Sequence, residues 1–231
     1  IPFQRDGKWL CYYDLNVFER KQLTSSLITH CLREGLPSDV VKSLIGDVYI
    51  FLNEPNNCEL RDAYEFGTIL NACGRHGAAE LGVSVCLHEE GALDKARLLL
   101  QEHKRAISTG ISFAQKNTVD LGAFYFMDAR GVIPDTVIGT VAGSFLGSHA
   151  DRSKPIIAFS LDEKNWVKVS SRGTRELVDA GLDLGVVMKK ASASVDSDVA
   201  GGHSIAAGSA FLPTKENELV FLKKCKEVIE V

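Results

Sequence analysis

The chain has 231 residues, 45% hydrophobic and 24% charged, with a mean hydropathy of +0.01. These values describe a globular protein and exclude a disordered or collagen-like one. No apolar run approaches the roughly 18 residues of a membrane-spanning helix. The net charge of -4 supplies no global basic field, so phosphate or nucleic acid would have to be held by a local patch.

Six cysteines (Cys11, Cys31, Cys58, Cys73, Cys86 and Cys225) are scattered without a CxxC pair, which argues against a zinc ribbon. They read as reduced, mostly buried small hydrophobes of a cytosolic (cytoplasmic) protein. The chain starts with Ile1 rather than Met, the expectation for a processed or truncated piece.

In chain order, residues 5–13 form a hairpin candidate around Asp6-Gly7, flanked by Trp9, Tyr12 and Tyr13. Leu15, Phe18, Leu23, Leu27 and Cys31 then lie near one helical face, with Gly35 and Pro37 as stop signals. Ser38 can cap a second helix with Val41, Leu44 and Ile45 inward. Residues 53–57, Asn-Glu-Pro-Asn-Asn, read as a loop. Phe66, Ile69, Leu70 and Cys73 mark a helix over 61–73 that ends at Gly74-Arg75-His76-Gly77. Residues 78–87 and 92–114 read as two more helices, the second long and amphipathic.

The pattern then changes. Residues 121–127 read as a strand, and Asp135 caps a helix through Val137, Val141 and Phe145. Residues 156–159 and 166–170 read as strands, and 182–193 and 215–229 as helices. The expected class is α/β: a mostly helical linking region over 1–112, then a domain over 113–231 with a small mixed sheet covered by helices.

Three segments carry chemistry. In Gly201-Gly-His-Ser-Ile-Ala-Ala-Gly208, adjacent glycines allow close backbone approach and positive φ. Their N–H groups can form an anion nest, and the imidazole of His203 can donate to phosphate. The plain alternative is a flexible Gly/Ala turn before a last strand. The Lys-Ser/Thr and glycine spacing of a P-loop are missing. Ser170-Ser-Arg-Gly-Thr174 places hydroxyls and a guanidinium at a strand end, suited to phosphate and also common on plain surfaces. Asn71-Ala-Cys-Gly-Arg75 puts Arg75 where it can reach a phosphate, or where a cation simply matches a helix C-terminus.

Together these segments resemble one family. Residues 201–208 are similar to the GGHxxAAG signature of the DHHA1 domain, the C-terminal half of DHH-superfamily phosphoesterases. Residues 71–75 resemble the NAxGR segment of RecJ-type nucleases, and 170–174 their S-x-R-S/G-T motif. Residues 61–66 and Ile138-Gly-Thr-Val-Ala-Gly143 also resemble archaeal RecJ-like proteins. The family's catalytic half carries Asp-rich motifs and an Asp-His-His triplet that bind two Mn²⁺ or Mg²⁺ ions. Neither occurs here; Asp196-Ser-Asp198 has bare Asp-x-Asp spacing and reads as a polar loop.

The resemblance implies that this chain is the substrate-binding C-terminal part of a RecJ-like phosphoesterase acting on single-stranded DNA or RNA or short oligonucleotides. The DHH domain of the full-length protein would supply the two-metal step, and this chain alone would bind no cofactor and hydrolyse nothing. His203 would act catalytically by donating to charge developing on the phosphoryl oxygens. Gly201, Gly202, Ser171 and Arg172 would hold the phosphate or terminal nucleotide, and Asn71 and Arg75 the strand nearer the hinge. The alternative is a binding module without catalysis: RNA binding as in the DHHA1 domain of alanyl-tRNA synthetases, or a Cdc45-like replication scaffold with GINS-type partners.

Overall fold

The computed structural model describes residues 4–5, 7–9, 12–55 and 58–230. Ile1, Asp6 of the expected turn, Cys11, Asn56 and Asn57 lie outside the described residues. The chain divides into two compact units, Ile1–Glu65 and Phe66–Val231.

In the first unit, β1 (Gln4–Arg5) pairs antiparallel with β2 (Lys8–Trp9), and Gly7 turns at φ +76°. Helix α1 (Val17–Arg33) starts with a capping box. The Glu19 amide donates to Asn16 Oδ1, and the Asn16 amide to the Glu19 carboxylate, each at 2.9 Å. A short α2 (Ser38–Lys42) follows. The core here is thin: Leu15, Val41 and Leu60 are buried, whereas Phe18, Leu44 and Ile45, expected inward, are exposed. Helix α2 ends at Lys42, so Leu44 and Ile45 fall beyond it. Helix α1 buries none of its residues, since a unit this short has little second layer to cover it.

Helix α3 (Ala63–Arg75) is capped by Asp62, whose carboxylate accepts from the amides of Tyr64 and Glu65. Arg61 donates to the Glu54 carbonyl at 2.6 Å. The Arg-Asp pair of the family-like 61–66 segment thus organises the entry into α3. Helices α4 (Ala79–Cys86) and α5 (Ala92–Asn117) follow. The boundary expected near residue 112 falls inside α5, which runs unbroken to Asn117. Its buried stripe, Ala92, Ala96, His103, Gly110 and Ala114, is small enough for close helix packing. A Cβ on Gly110 would lie 2.5 Å from Val141 of the next helix, so that helix and α5 approach as closely as the chain allows.

The second unit is built on a six-stranded mixed sheet: β3 (Val119–Asp120), β4 (Tyr125–Asp128), β5 (Ile156–Leu161), β6 (Val167–Arg172), β8 (Ala206–Phe211) and β7 (Ala200–His203), in that spatial order. Strands β4 and β5 are parallel, joined through α6 (Asp135–His149); the other pairs are antiparallel. Helices α7 (Arg175–Asp179), α8 (Leu184–Ala193) and α9 (Lys215–Ile229) complete the unit. The α/β class and mixed sheet are as expected. Strand alternation sends Ile157, Phe159, Val167, Val169, Ala207 and Phe211 to one face, where α8 and α9 close a core over Met188, Phe221 and Cys225. Ile156 and Ala158 face α6 with Val137, Ile138 and Val141.

Of the described cysteines, Cys73 and Cys225 are buried, Cys31 and Cys58 half-buried, and Cys86 exposed; none is in a disulfide. Among the described residues no helix is long and apolar enough to cross a membrane.

Candidate functional site

The site follows from register. Arg172 on β6 pairs with Ala206 on β8, and Ala206 with His203 on β7. Directly opposed residues share a face, and adjacent strands lie about 4.8 Å apart. Arg172, Ala206 and His203 therefore form one row. Two residues along, Ser170, Gly208 and Gly201 form a second. This face is the α6 side of the sheet, and α6 packs over β4, β5 and β6. Gly201, Gly202 and His203 are exposed, and Ala206 and Gly208 half-buried. The result is a shallow open strip floored by residues without bulk, with Arg172 along one side and His203 at the free edge.

Residues 201–208 are therefore not a loose turn but the edge strand β7 and the start of its inner neighbour β8, joined at Ser204-Ile205. Gly202, at φ +136°, is obligatory: a Cβ there would lie 2.4 Å from the Ala207 Cα and 2.5 Å from the Ala206 carbonyl oxygen. On Gly208 it would lie 2.9 Å from the Val169 carbonyl oxygen. The small residues hold β7 tight against β8, which fixes where the imidazole of His203 begins. The amide of Leu184, at the start of α8, donates to the Ser204 carbonyl at 2.9 Å and ties down the turn.

Arg172 lies along α6. A Cβ on Gly139 would be 2.1 Å from its Nη2, and one on Gly143 would be 3.8 Å from its Cγ. The two glycines, one turn apart, make the channel in which the side chain rests. Its Nη1 donates to the Ser171 carbonyl at 2.8 Å. Arg75, at the end of α3, donates from Nη1 to the Thr136 carbonyl at 3.1 Å. Thr136, Gly139 and Gly143 recur at helical spacing on α6, so both arginines come to one face of one helix. Burial, and then the charge of Arg75, push the Arg172 guanidinium below its usual range. Among the described residues no carboxylate pairs with either. Elsewhere in this unit Arg130 is held by Asp128 and Glu218, Arg152 by Glu176, and Lys154 by Asp120. Two unneutralised guanidinium groups at one place form a ready anion site.

The remaining expected residues divide. Asn71 is exposed on α3, one turn before Arg75. Ser171 needs correction. It has no exposed surface, and its hydroxyl donates to the Ala207 carbonyl at 2.9 Å. Strand alternation turns it to the face opposite Arg172, so it fastens β6 to β8 behind Gly202 and cannot touch a ligand. Thr174 caps α7, accepting from the Leu177 amide. Asp196 and Asp198 sit in the loop before β7. Among the described residues no group of three or more His, Cys, Asp or Glu side chains could hold a metal ion. The sequence reading missed Gly139, Gly143 and Thr136; their signal was the glycine pair in residues 138–143, given there only as a resemblance.

A family model described as the DHHA1 domain matches residues 124–230. An uncharacterized protein of Methanocaldococcus jannaschii is 29% identical over 189 residues, which is 82% of this chain and 39% of that protein. Among solved structures, the chain is similar to RecJ from Thermus thermophilus in complex with Mg²⁺, with a TM-score of 0.58 and 16% identity. That match covers 73% of this chain and 25% of RecJ, and the likeness is one of fold. The C-Ala domain of Aquifex aeolicus alanyl-tRNA synthetase aligns with a TM-score of 0.39 and 16% identity, over 50% of this chain and 99% of that domain. The chain thus spans about two fifths of the curated relative and a quarter of RecJ.

Proposed function

We propose, from the premise that residues 124–230 are a DHHA1 domain, that this chain grips the sugar-phosphate backbone of a single-stranded nucleic acid or short oligonucleotide. In the full-length protein it would present a phosphodiester to a separate catalytic DHH part that carries Mn²⁺ or Mg²⁺. The observation that carries this reading is the pair Arg75 and Arg172, converging on one face of α6 and, among the described residues, paired with no carboxylate. An anion there relieves the mutual repulsion of the two cations and gains bidentate hydrogen bonds. The glycine and alanine floor lets a backbone lie close, and no side chain of the strip is built to read base edges. The grip is therefore one of phosphate and sugar.

His203 stands in the same row as Arg172, at the free edge, where its ring can donate to a phosphoryl oxygen of the strand lying over Ala206. In this reading Arg172 supplies ground-state grip and His203 steadies charge that develops as the diester is cut. A role in DNA repair or replication, a cytoplasmic location and GINS-type partners belong to the same proposal through the RecJ-like resemblance. RNA binding without cleavage is the second reading. The same strip serves it, but His203 then has no effect on turnover.

The test compares Arg172→Ala and His203→Ala in the full-length protein. Arg172→Ala weakens single-strand binding first. His203→Ala leaves binding within about a factor of five, the worth of roughly one neutral hydrogen bond. It lowers single-turnover cleavage by about 10²–10³-fold, the usual effect of losing one donor to a developing oxyanion. Full turnover in His203→Ala overturns the catalytic role and leaves the binding reading. Undiminished binding in Arg172→Ala overturns the grip itself.

A further inference from the structure

The first unit carries apolar surface that its own residues do not cover. Leu44, Ile45, Val48, Tyr49 and Leu52 are 52–79% exposed. Against them, Leu15, Val41 and Leu60 are the buried apolar residues among the described ones of this unit. The segment is not loose. The Phe51 amide donates to the Arg61 carbonyl at 2.8 Å, and the Ala63 amide to the Tyr49 carbonyl at 3.0 Å. Ile50 and Asp62 form an antiparallel bridge between these two bonds. Just beyond, Arg61 Nη1 donates to the Glu54 carbonyl at 2.6 Å. A fixed backbone therefore holds Tyr49 and Leu52 in the open.

Ordered, contiguous apolar surface marks an interface. The core behind it is too small to carry the unit alone, so its cover is permanent and not transient. Asp47 is the one charged residue within 43–52, which rules out a polyanion as the occupant. Two observations say where the cover comes from. The DHHA1 match begins at residue 124, so the first unit lies outside that domain. The match to the Methanocaldococcus jannaschii protein takes in 189 residues, 82% of this chain, so residues 43–65 fall within it wherever it starts. About three fifths of that protein lies outside the match. So much further polypeptide has the material for an apolar counterface, and a tethered counterface acts at high effective concentration.

We propose that residues 44–52 are the docking surface that fastens the first unit to the part of the full-length polypeptide outside these 231 residues. That is the part to which catalysis is assigned above. The proposal rests on the reading that such a DHH part exists, and it names the face on which that part sits. The contact is apolar, permanent and within one chain.

The test uses the full-length protein with a photo-reactive benzophenone amino acid in place of Tyr49, a side chain of related shape. Irradiation and peptide mapping then read what lies within reach of that position. We expect the main crosslink to be intramolecular, to a peptide outside residues 1–231. In the same protein Leu52→Lys should lower the thermal midpoint of unfolding by several degrees, because it buries an unpaired ammonium. At a site open to water such a change is nearly neutral. If Leu52→Lys fails to fold, the crosslink alone decides. A crosslinked dimer assigns the surface to a second copy and overturns the proposal. A crosslink confined to residues 1–231, or none at all, overturns it too. The catalytic reading fails separately. A crosslink into the remaining polypeptide of a protein that cuts no diester keeps the docking surface and strikes the catalysis. A protein that cuts single strands while position 49 stays uncrosslinked does the reverse.

Discussion

The two faces of the second unit's sheet are made by alternate residues of the same strands, yet they differ in kind. On one face Phe159, Phe211 and Phe221 meet at centroid separations of 4.8–6.1 Å beneath α8 and α9. The hydroxyls on that face are spent inside the fold, Ser171 on the Ala207 carbonyl and Ser209 on Ser192. Burial pushes even the Cys225 thiol far above its usual range. On the other face the apolar layer stops at β5. Beyond it come Arg172 in its glycine channel, then alanine and glycine, then the exposed His203. Stability is concentrated where water is excluded. Charge and open backbone are placed where the same strands run out of cover. A domain that must hold a polyanion while staying folded can divide the two tasks this way, because a side chain on one face has no contact with the other.

The sharpest break of that division is Phe221→Ala. The residue is fully buried in the aromatic cluster, and removing such a ring costs about 3–5 kcal/mol. Chemical denaturation should show that loss, while single-strand affinity per folded molecule stays the same. A parallel loss of affinity at full folding would mean that the faces are coupled.

Arg172→Ala does the reverse. Losing one charge-assisted contact should weaken single-strand binding by about 1.5–3 kcal/mol, whereas unfolding free energy holds or rises because a half-buried, unpaired cation is gone. Titration beside a melting curve checks both. A large drop in stability would make Arg172 a structural residue.

The grip should also respond to salt in proportion to its few cations. With about three phosphate contacts, log affinity should fall against log salt with a slope near -2, or roughly fifteenfold between 50 and 200 mM. A slope near zero would assign the affinity to stacking on bases, which the open strip has no Phe, Tyr or Trp to provide.

Most elements could be read from the sequence because their periodicity is local: α1, α3 to α6, β5, α8 and α9 fall within a few residues of their expected spans. The site was legible one residue at a time and not as an arrangement. Arg172, Ala206 and His203 form a row only through the register of three strands, and register is fixed by long-range packing. The end expected for β6 at Ser170 fell two residues short, and this hid the alternation that sends Ser171 inward and Arg172 out. The division near residue 112 rested on the change from helical to strand-like pattern, but α5 continues through it because its small-residue stripe packs on α6.

The smallest expected effect separates site from scaffold most cleanly. Gly139 and Gly202 both lack room for a Cβ, with nearest atoms at 2.1 and 2.4 Å, but the obstructions differ. At Gly202 the obstruction is the backbone of Ala207, which cannot yield without opening the β7–β8 pair, and φ is unfavourable as well. At Gly139 the obstruction is the far end of Arg172, which can swing away, and the residue lies inside a helix. There alanine is preferred over glycine by up to about 1 kcal/mol. Gly139→Ala should therefore leave stability unchanged or raise it by as much as about 1 kcal/mol, while moving the guanidinium off the Thr136–Gly143 face and weakening single-strand binding. Gly202→Ala should lower stability and binding together. If Gly139→Ala keeps full affinity, the channel under Arg172 is a packing convenience and the placement of its charge does not govern the grip. If it weakens binding in a more stable protein, the glycines of α6 serve the open face alone.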